Sequence, residues 1–265
     1  MMNTKPYYSI IIPTLNEEEA IADVLRRIPE KIMHHGEVIV VDASDDNTAF
    51  IARGYGARVI RSSTKGKGKQ ISEGVKNAHG EIIVMMDGDG EHPPEYIPDL
   101  IHKLEDEYDI VLGTRDNFSF TRKPLIRIFY LFYLPIIKGI FKASGITFDG
   151  TPLSGFRCMK KDVWKKLKPE TDDFLLEAEM NIKIGEHGLR HGEVHIPYVE
   201  RYNGVLNSRV IQSGAAKEII GYLISYVIQK RVKKRVEIVV RGAQDKVIDR
   251  FKVNLMKIME TFSAH

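Results

Sequence analysis

EIIVMMDGDGEHPPE, residues 81–95, joins an apolar run to a tight group of acids and then to two prolines. The run EIIVMMD (81–87) has the length and continuity of a strand buried on both faces. Pro93 and Pro94 suit the first turn of a helix, where a missing N–H costs nothing, so PPEYIPDLIHKLED (93–106) reads as that helix. Between strand and helix stand Asp87, Asp89 and Glu91, spaced closely enough to repel one another. The same alternation continues in both directions. Upstream, YYSIIIP (7–13), GEVIVVDAS (36–44) and ARVIRSS (57–63) read as strands. NEEEAIADVLRRI (16–28) reads as a helix with acids in its first turn, NTAFIARGYG (47–56) as a second, and KGKQISEGVKNAHG (67–80) as a third that Gly80 stops. Downstream, YDIVLGTR (108–115) is a fifth strand. Strands and helices in alternation predict an α/β fold with a mainly parallel central sheet flanked by helices.

The chain has 265 residues, 43% of them hydrophobic and 28% charged, enough for one large domain and an appendage. We expect a domain over 1–212, made of a nucleotide-binding half (1–115) and a second half (116–212) that extends the sheet. A helical C-terminal extension over 213–265 follows. A net charge of +3 is too small to point to nucleic acid. Lys230, Arg231, Lys233, Lys234 and Arg235 concentrate basic charge late in the chain. A single cysteine, Cys158, excludes an internal disulfide framework and suits a reducing cytoplasm. No signal-peptide pattern opens the sequence. The longest uncharged apolar run, IFYLFYLPII (128–137), is half of the roughly 20 residues a spanning helix needs. The expected location is cytoplasmic, free or peripheral at the cytoplasmic face of a membrane.

In a doubly wound sheet, ligands bind beyond the carboxyl ends of the strands. That rule gathers Asn16 and Glu17 after strand one, Asp42, Ser44 and Asp46 after strand two, Asp87, Asp89 and Glu91 after strand four, and Arg115 after strand five. So many acids at one edge are costly unless a cation or a donor-rich ligand meets them. A hard divalent ion takes oxygen ligands and completes its shell with water and phosphate. Aspartates also occur in ordinary turns, and Asp42 and Asp46 suit a helix cap, so no single pair is decisive. The whole set, in this order, reads as a nucleotide-sugar site with half of a metal–diphosphate centre. His92 reads as support for its turn, His195 as a strand residue, and Cys158 carries no assigned role.

SIIIPTLNEEEAI, VIVVDASDDNT, KGKGKQISEGVKNAHGEIIVMMDGDGEHPPE, LGTR and SGFRCMKKDVWKKL resemble family 2 glycosyltransferases of the GT-A fold. Within that family the likeness is to dolichyl- and polyprenyl-phosphate mannose and glucose synthases, and it covers about residues 7–204. The resemblance implies that Asp42 contacts the nucleotide base, with Pro13 and Glu17 shaping the same end of the pocket. It also implies that Asp87 and Gly88 lie beside ribose and donor sugar, and that Asp89 and Glu91 face Mg2+ or Mn2+. Family members typically carry Gln where Glu91 stands. The likeness gives Lys67 a place at the nucleotide edge, and gives Arg115 and Arg201 the donor phosphates. Asp89, Arg115 and Arg201 are thus the expected catalytic set. Two departures stand out: VLNSR replaces the usual serine-lysine after Gly204, and DGTPLSGFR holds extra residues before Ser154.

The implied reaction is metal-dependent, inverting transfer of a hexose from a UDP- or GDP-sugar to a polyprenyl or dolichyl phosphate. Arg122 and Arg127, beside the aromatic run, are expected to meet the lipid phosphate. Ser154, Arg157, Glu177 and Glu179 belong to the acceptor side. A hydroxyl acceptor would need a carboxylate base, and Glu177 or Glu179 would supply it. Residues 121–145 read either as a pair of core helices or as an interfacial amphipathic segment. The alternatives are a soluble phospho-acid or glycan hydroxyl as acceptor, and a nucleotide-sugar-binding protein without catalysis.

Overall fold

Strand β1 (Tyr8–Thr14) is buried at every position after Tyr8, as its unbroken apolar run requires of a central parallel strand. The structure is a computed structural model. It describes residues 6–115, 124–199, 201–202 and 217–229, with the side chains of 124–130 and 132 outside the description. After β1 come α1 (Ile21–Arg26), α2 (Glu30–His35), β2 (Gly36–Asp42), α3 (Thr48–Gly54), β3 (Arg58–Arg61), α4 (Lys67–Asn77) and β4 (Ile82–Met85). Then follow α5 (Ile97–Glu105), β5 (Ile110–Thr114), α6 (Pro124–Ala143), β6 (Arg157–Lys160), α7 (Lys161–Leu167), α8 (Leu176–Glu186) and β7 (His191–His195). Residues 217–229 are helical. The chain divides after Gly221 into two units, and most of the second lies outside the described residues.

The seven strands run in the order β3-β2-β1-β4-β6-β5-β7. All neighbours are parallel except β6, which is antiparallel to both β4 and β5. Chain order reverses at the β1–β4 boundary, where such sheets open a ligand crevice. Because β6 alone runs backwards, its first residue, Arg157, pairs with Met85 at the carboxyl end of β4. The loop entering β6 is thereby delivered to the ligand edge.

Ile10 and Ile12 of β1 pack with Val24 and Leu25 of α1, Leu100 and Leu104 of α5, and Phe156 on one face of the sheet. Each fully buried side chain of this size contributes about 1.5–3 kcal/mol. Ile11 faces the opposite way, towards α4. A Cβ at Gly74 would stand 2.4 Å from Ile11 Cγ2, so that helix sits against the sheet only because residue 74 has no side chain. Gln70, buried on the same helix, donates to the carbonyls of Thr14 (2.8 Å) and Val41 (2.7 Å), tying the ends of β1 and β2 together.

Two expectations change. The helix read over 16–28 begins only at Ile21 and gives way at Pro29, with α2 as a separate turn. Asn16 has φ 59°, in the left-handed region. The backbone N–H groups of Asn16, Glu17 and Glu18 go to Ser44, Thr48 and Asp46 across the cleft, at 2.7, 2.9 and 3.3 Å. Asn16 and Glu18 reply with their own side chains to the N–H groups of Asp45 and Asn47. Tertiary partners have replaced the local helix bonds. The second change is that the aromatic stretch forms one helix, α6, of 20 residues with Pro135 inside it. No helix among the described residues is long and apolar enough to cross a membrane.

Candidate active site

The carboxyl ends of β1, β4, β5 and β7 share one edge of the sheet, and a cavity of about 400 Å³ opens there. The turn after β4 lines it with Asp87, Asp89 and Glu91. Gly90 in that turn has φ 85°, and a Cβ on it would meet the Tyr202 ring at 2.8 Å, so only glycine fits. His92 closes the turn: its Nδ1 accepts the Asp87 N–H at 3.0 Å while its ring stacks on Phe156. Burial pulls His92 down to about 3, leaving the ring neutral.

Lys67, the first residue of α4, lies between Asp87 and Glu177, with its Nζ 2.7 Å from a carboxylate oxygen of each. Burial alone would lower its pKa, but the two acids outweigh burial and hold the ammonium above its ordinary range. In the same way, burial would raise Asp87, and the charge of Lys67 instead holds it at about 2. Gly155 makes room for this cluster: a Cβ there would be 2.6 Å from Lys67 Nζ and 3.2 Å from oxygens of Asp87 and Glu177.

The other two acids of the turn are differently placed. Burial, and then the charge of Asp87, raise the pKa of Asp89. Burial and the charge of Asp89 push Glu91 up to about 7. Arg201 reaches both sides of the cleft, with Nη2 2.6 Å from Glu17 Oε1 and Nη1 3.4 Å from Asp89 Oδ2. Arg115 donates to the Glu91 carbonyl at 2.7 Å and lies 3.4 Å from its carboxylate. Among the described residues no group of three or more His, Cys, Asp or Glu side chains is set to hold a metal. Asp89 and Glu91 nevertheless fit a hard dication that keeps water and phosphate in its shell, since both are acids raised first by burial and then by a neighbouring carboxylate, Asp87 for Asp89 and Asp89 for Glu91. A dication here must displace the Glu91 proton. Its apparent affinity is therefore expected to rise between about pH 6 and pH 8 and to level off above. Mn2+ titrations by calorimetry in buffers of different ionisation enthalpy check this through the protons released.

The structure brings Pro13, Glu17, Lys67, Asp87, Gly88, Asp89, Glu91, Arg115, Ser154, Glu177 and Arg201 to this one cavity. Other expected residues lie elsewhere. Asp42 is fully buried behind Thr14 and takes hydrogen bonds from Thr14 (2.7 Å), Ser44 and Arg61. Asn16 and Ser44 belong to the loop-to-loop contacts described above. Asp46 lies in the turn before α3 and accepts the Thr48 N–H at 2.9 Å. Glu179 faces away from the cavity, bound to the N–H groups of Glu170 and Thr171 and to Lys183. Arg157 is fully buried and meets loop carbonyls, so it stands behind the cavity wall and not in it. Arg122 lies outside the described residues, and so does the side chain of Arg127. Tyr133 of the aromatic run lines the cavity from α6, together with Leu134, which sequence reasoning missed. The spacing of Leu134, Ile137 and Phe141, all buried, was the available signal.

The sequence profile described as glycosyl transferase family 2 matches residues 9–162, more than half of the chain. The chain belongs to glycosyl transferase family 2. This family 2 enzyme is a glycosyltransferase with a GT-A fold. It is 32% identical over 194 residues to a dolichyl-phosphate hexose transferase of Haloferax volcanii, an alignment covering 73% of this chain and 83% of the relative. A dolichol-phosphate mannosyltransferase of Pyrococcus furiosus is 31% identical over 189 residues, covering 66% of this chain and 52% of the relative. Among solved structures, glucosyl-3-phosphoglycerate synthase from Mycobacterium tuberculosis, in complex with Mn2+, UDP-glucose and phosphoglyceric acid, superposes with a TM-score of 0.67. Its identity is 23%, and the match covers 84% of this chain and 80% of that one. That likeness shows the fold alone.

Proposed function

We propose that the protein transfers a hexose from a UDP- or GDP-sugar to a polyprenyl or dolichyl phosphate, with inversion, at the cytoplasmic face of a membrane. The observation that carries this reading is the acidic turn Asp87–Glu91 set opposite Arg115 and Arg201 in one cavity. Carboxylates and guanidinium groups facing each other suit a ligand with both a cation and phosphates. Asp89 and Glu91 would hold Mg2+ or Mn2+, which when bound supplies a Lewis acid for the leaving diphosphate. Arg115 and Arg201 exchange their carboxylate partners for phosphate oxygens. Glu17 and Pro13 shape the nucleotide end, and Asp42, held by Thr14, Ser44 and Arg61, stands behind it. A phosphate acceptor arrives with an ionised oxygen, so the chain need not supply a strong base.

The names of the two relatives support a lipid phosphate acceptor. So does the apolar side of the cavity, where Tyr133, Leu134, Leu153 and Phe174 lie. Leu131 and Ile136 of α6 are about half exposed, as a helix that rests on a bilayer surface would present them. A second reading, transfer to a hydroxyl, rests on Glu177, the one acid of its helix that lines the cavity. Its carboxylate is already occupied by Lys67, 2.7 Å away.

The test incubates the protein and Mn2+ with labelled UDP-glucose or GDP-mannose, offering farnesyl phosphate in detergent, 3-phosphoglycerate or a simple glycoside. We expect the label to enter an organic-extractable, acid-labile product with one of the two donors. Label that reaches only a water-soluble product refutes the lipid acceptor and leaves the glycosyltransferase standing.

A further inference from the structure

Residues 149–155 form one wall of the cavity, through Thr151, Leu153, Ser154 and Gly155. They belong to no helix or strand, so their peptide groups must find partners elsewhere. Side chains from four elements provide them. Glu193 of β7 accepts the N–H of Asp149 through Oε1 and that of Gly150 through Oε2, both at 2.8 Å. Lys138 of α6 donates to the Asp149 carbonyl at 2.6 Å. Asn181 of α8 donates to the Pro152 carbonyl at 2.7 Å. Arg157, opening β6, donates to the carbonyls of Ser154 at 2.8 Å and Pro152 at 3.3 Å, and to Asn181 Oδ1 at 2.9 Å.

A fully buried guanidinium is costly, and its partners here are carbonyls and an amide, none of them a carboxylate. Apolar residues of similar volume would fill the same space at less electrostatic cost. What they would not do is fix the directions of several loop carbonyls at once. Such a departure from ordinary core chemistry is expected where a shape is needed for function. The wall it shapes lines the same cavity as the Asp87–Glu91 turn and meets Asp87 and Lys67 at Gly155.

We propose that Arg157 and Glu193 are positioning residues for glycosyl transfer, setting the 149–155 wall before substrate arrives and fixing where the acceptor oxygen stands. The inference rests on the reading of the cavity as a transfer site. It assigns Arg157 a role through the loop and not by contact with acceptor.

The experiment compares the full chain with its Glu193→Ala, Glu193→Gln and Arg157→Met variants. It reads amide hydrogen exchange at Asp149 and Gly150, nucleotide affinity by calorimetry, and transfer kinetics with farnesyl phosphate. Glu193→Ala should lose protection at both amides and lower kcat/KM for farnesyl phosphate about tenfold, as misplacement of a reacting group does. Nucleotide affinity should stay at the wild-type value. Glu193→Gln, which keeps one accepting oxygen, should recover part of the loss. Arg157→Met should act in the same direction with a lower melting temperature; if it does not fold, the Glu193 pair decides alone. Wild-type acceptor kinetics in Glu193→Ala, or an equal fall in nucleotide affinity, overturns the proposal. Unchanged protection at Asp149 and Gly150 overturns it whatever the acceptor. Absence of transfer by the wild-type protein to any acceptor refutes the transfer reading instead.

Discussion

Asp89→Asn is expected to remove nearly all hexose transfer, a loss of more than about a hundredfold, while the fold stays at least as stable. The two halves of this result have separate causes. Activity falls because the neutral amide binds a dication weakly and leaves Glu91 as a lone carboxylate for it. Stability holds because the folded protein raises the pKa of Asp89, through burial and the charge of Asp87. A carboxyl raised on folding contributes stability at low pH that is lost as pH rises. The asparagine has no charge to lose, so its advantage should grow as pH rises above about 4. Arg201 loses one carboxylate at 3.4 Å and keeps Glu17 at 2.6 Å, which limits the cost. Turnover of labelled donor and melting curves at several pH values check both halves. Undiminished turnover in Asp89→Asn would falsify the metal assignment.

Lys67→Met should show the opposite combination, losing both activity and stability. Removing the ammonium leaves Asp87 and Glu177 facing each other in a buried site, which typically costs about 3–5 kcal/mol. Methionine fills the same channel, so the effect reports charge more than a cavity. Its pH dependence has a definite sign. In the wild-type protein Asp87 is held at about 2, so the stability it contributes is present above its ordinary value of 3.8 and lost below it. In the variant the two acids are raised, and protonation relieves them as pH falls. The difference between the proteins should therefore be largest near about pH 8 and shrink towards about pH 3. Urea unfolding across that range measures it. A difference that stays constant with pH would mean that Lys67 acts through packing.

The sheet was legible because its signals are local and redundant. Five apolar runs with turn residues between them admit few arrangements; β2, β3, β4 and β5 fall within those runs, and β1 passes the end of its run by Thr14 alone. The Asp87–Glu91 turn was legible for the same reason, since a strand end, a spaced set of acids and a proline start coincide. Arg115 and Arg201 meet that turn from distant points in the chain. What the sequence could not convey is the choice between equivalent groups. Glu177 and Glu179 stand two residues apart on one helix, and only tertiary partners send the first to the cavity and the second to the 170–171 backbone. Arg157 reads as a site residue because it follows Ser154, yet the pairing of β6 with β4 turns it inward. The late start of α1 was hidden for a related reason: the N–H groups of Asn16 and Glu17, ahead of it, bind side chains 28 and 31 positions away.

Gly155 sets a limit on which sequences can keep this charge arrangement. Its backbone needs no unusual torsion, so by conformational preference alone alanine would be acceptable there. Yet one added methyl group would enter the space that Lys67 Nζ occupies. Neutral drift at position 155 is thus opposed by a cluster of three charged groups remote in sequence, at 67, 87 and 177. A larger residue could be accommodated only together with a change in one of those three.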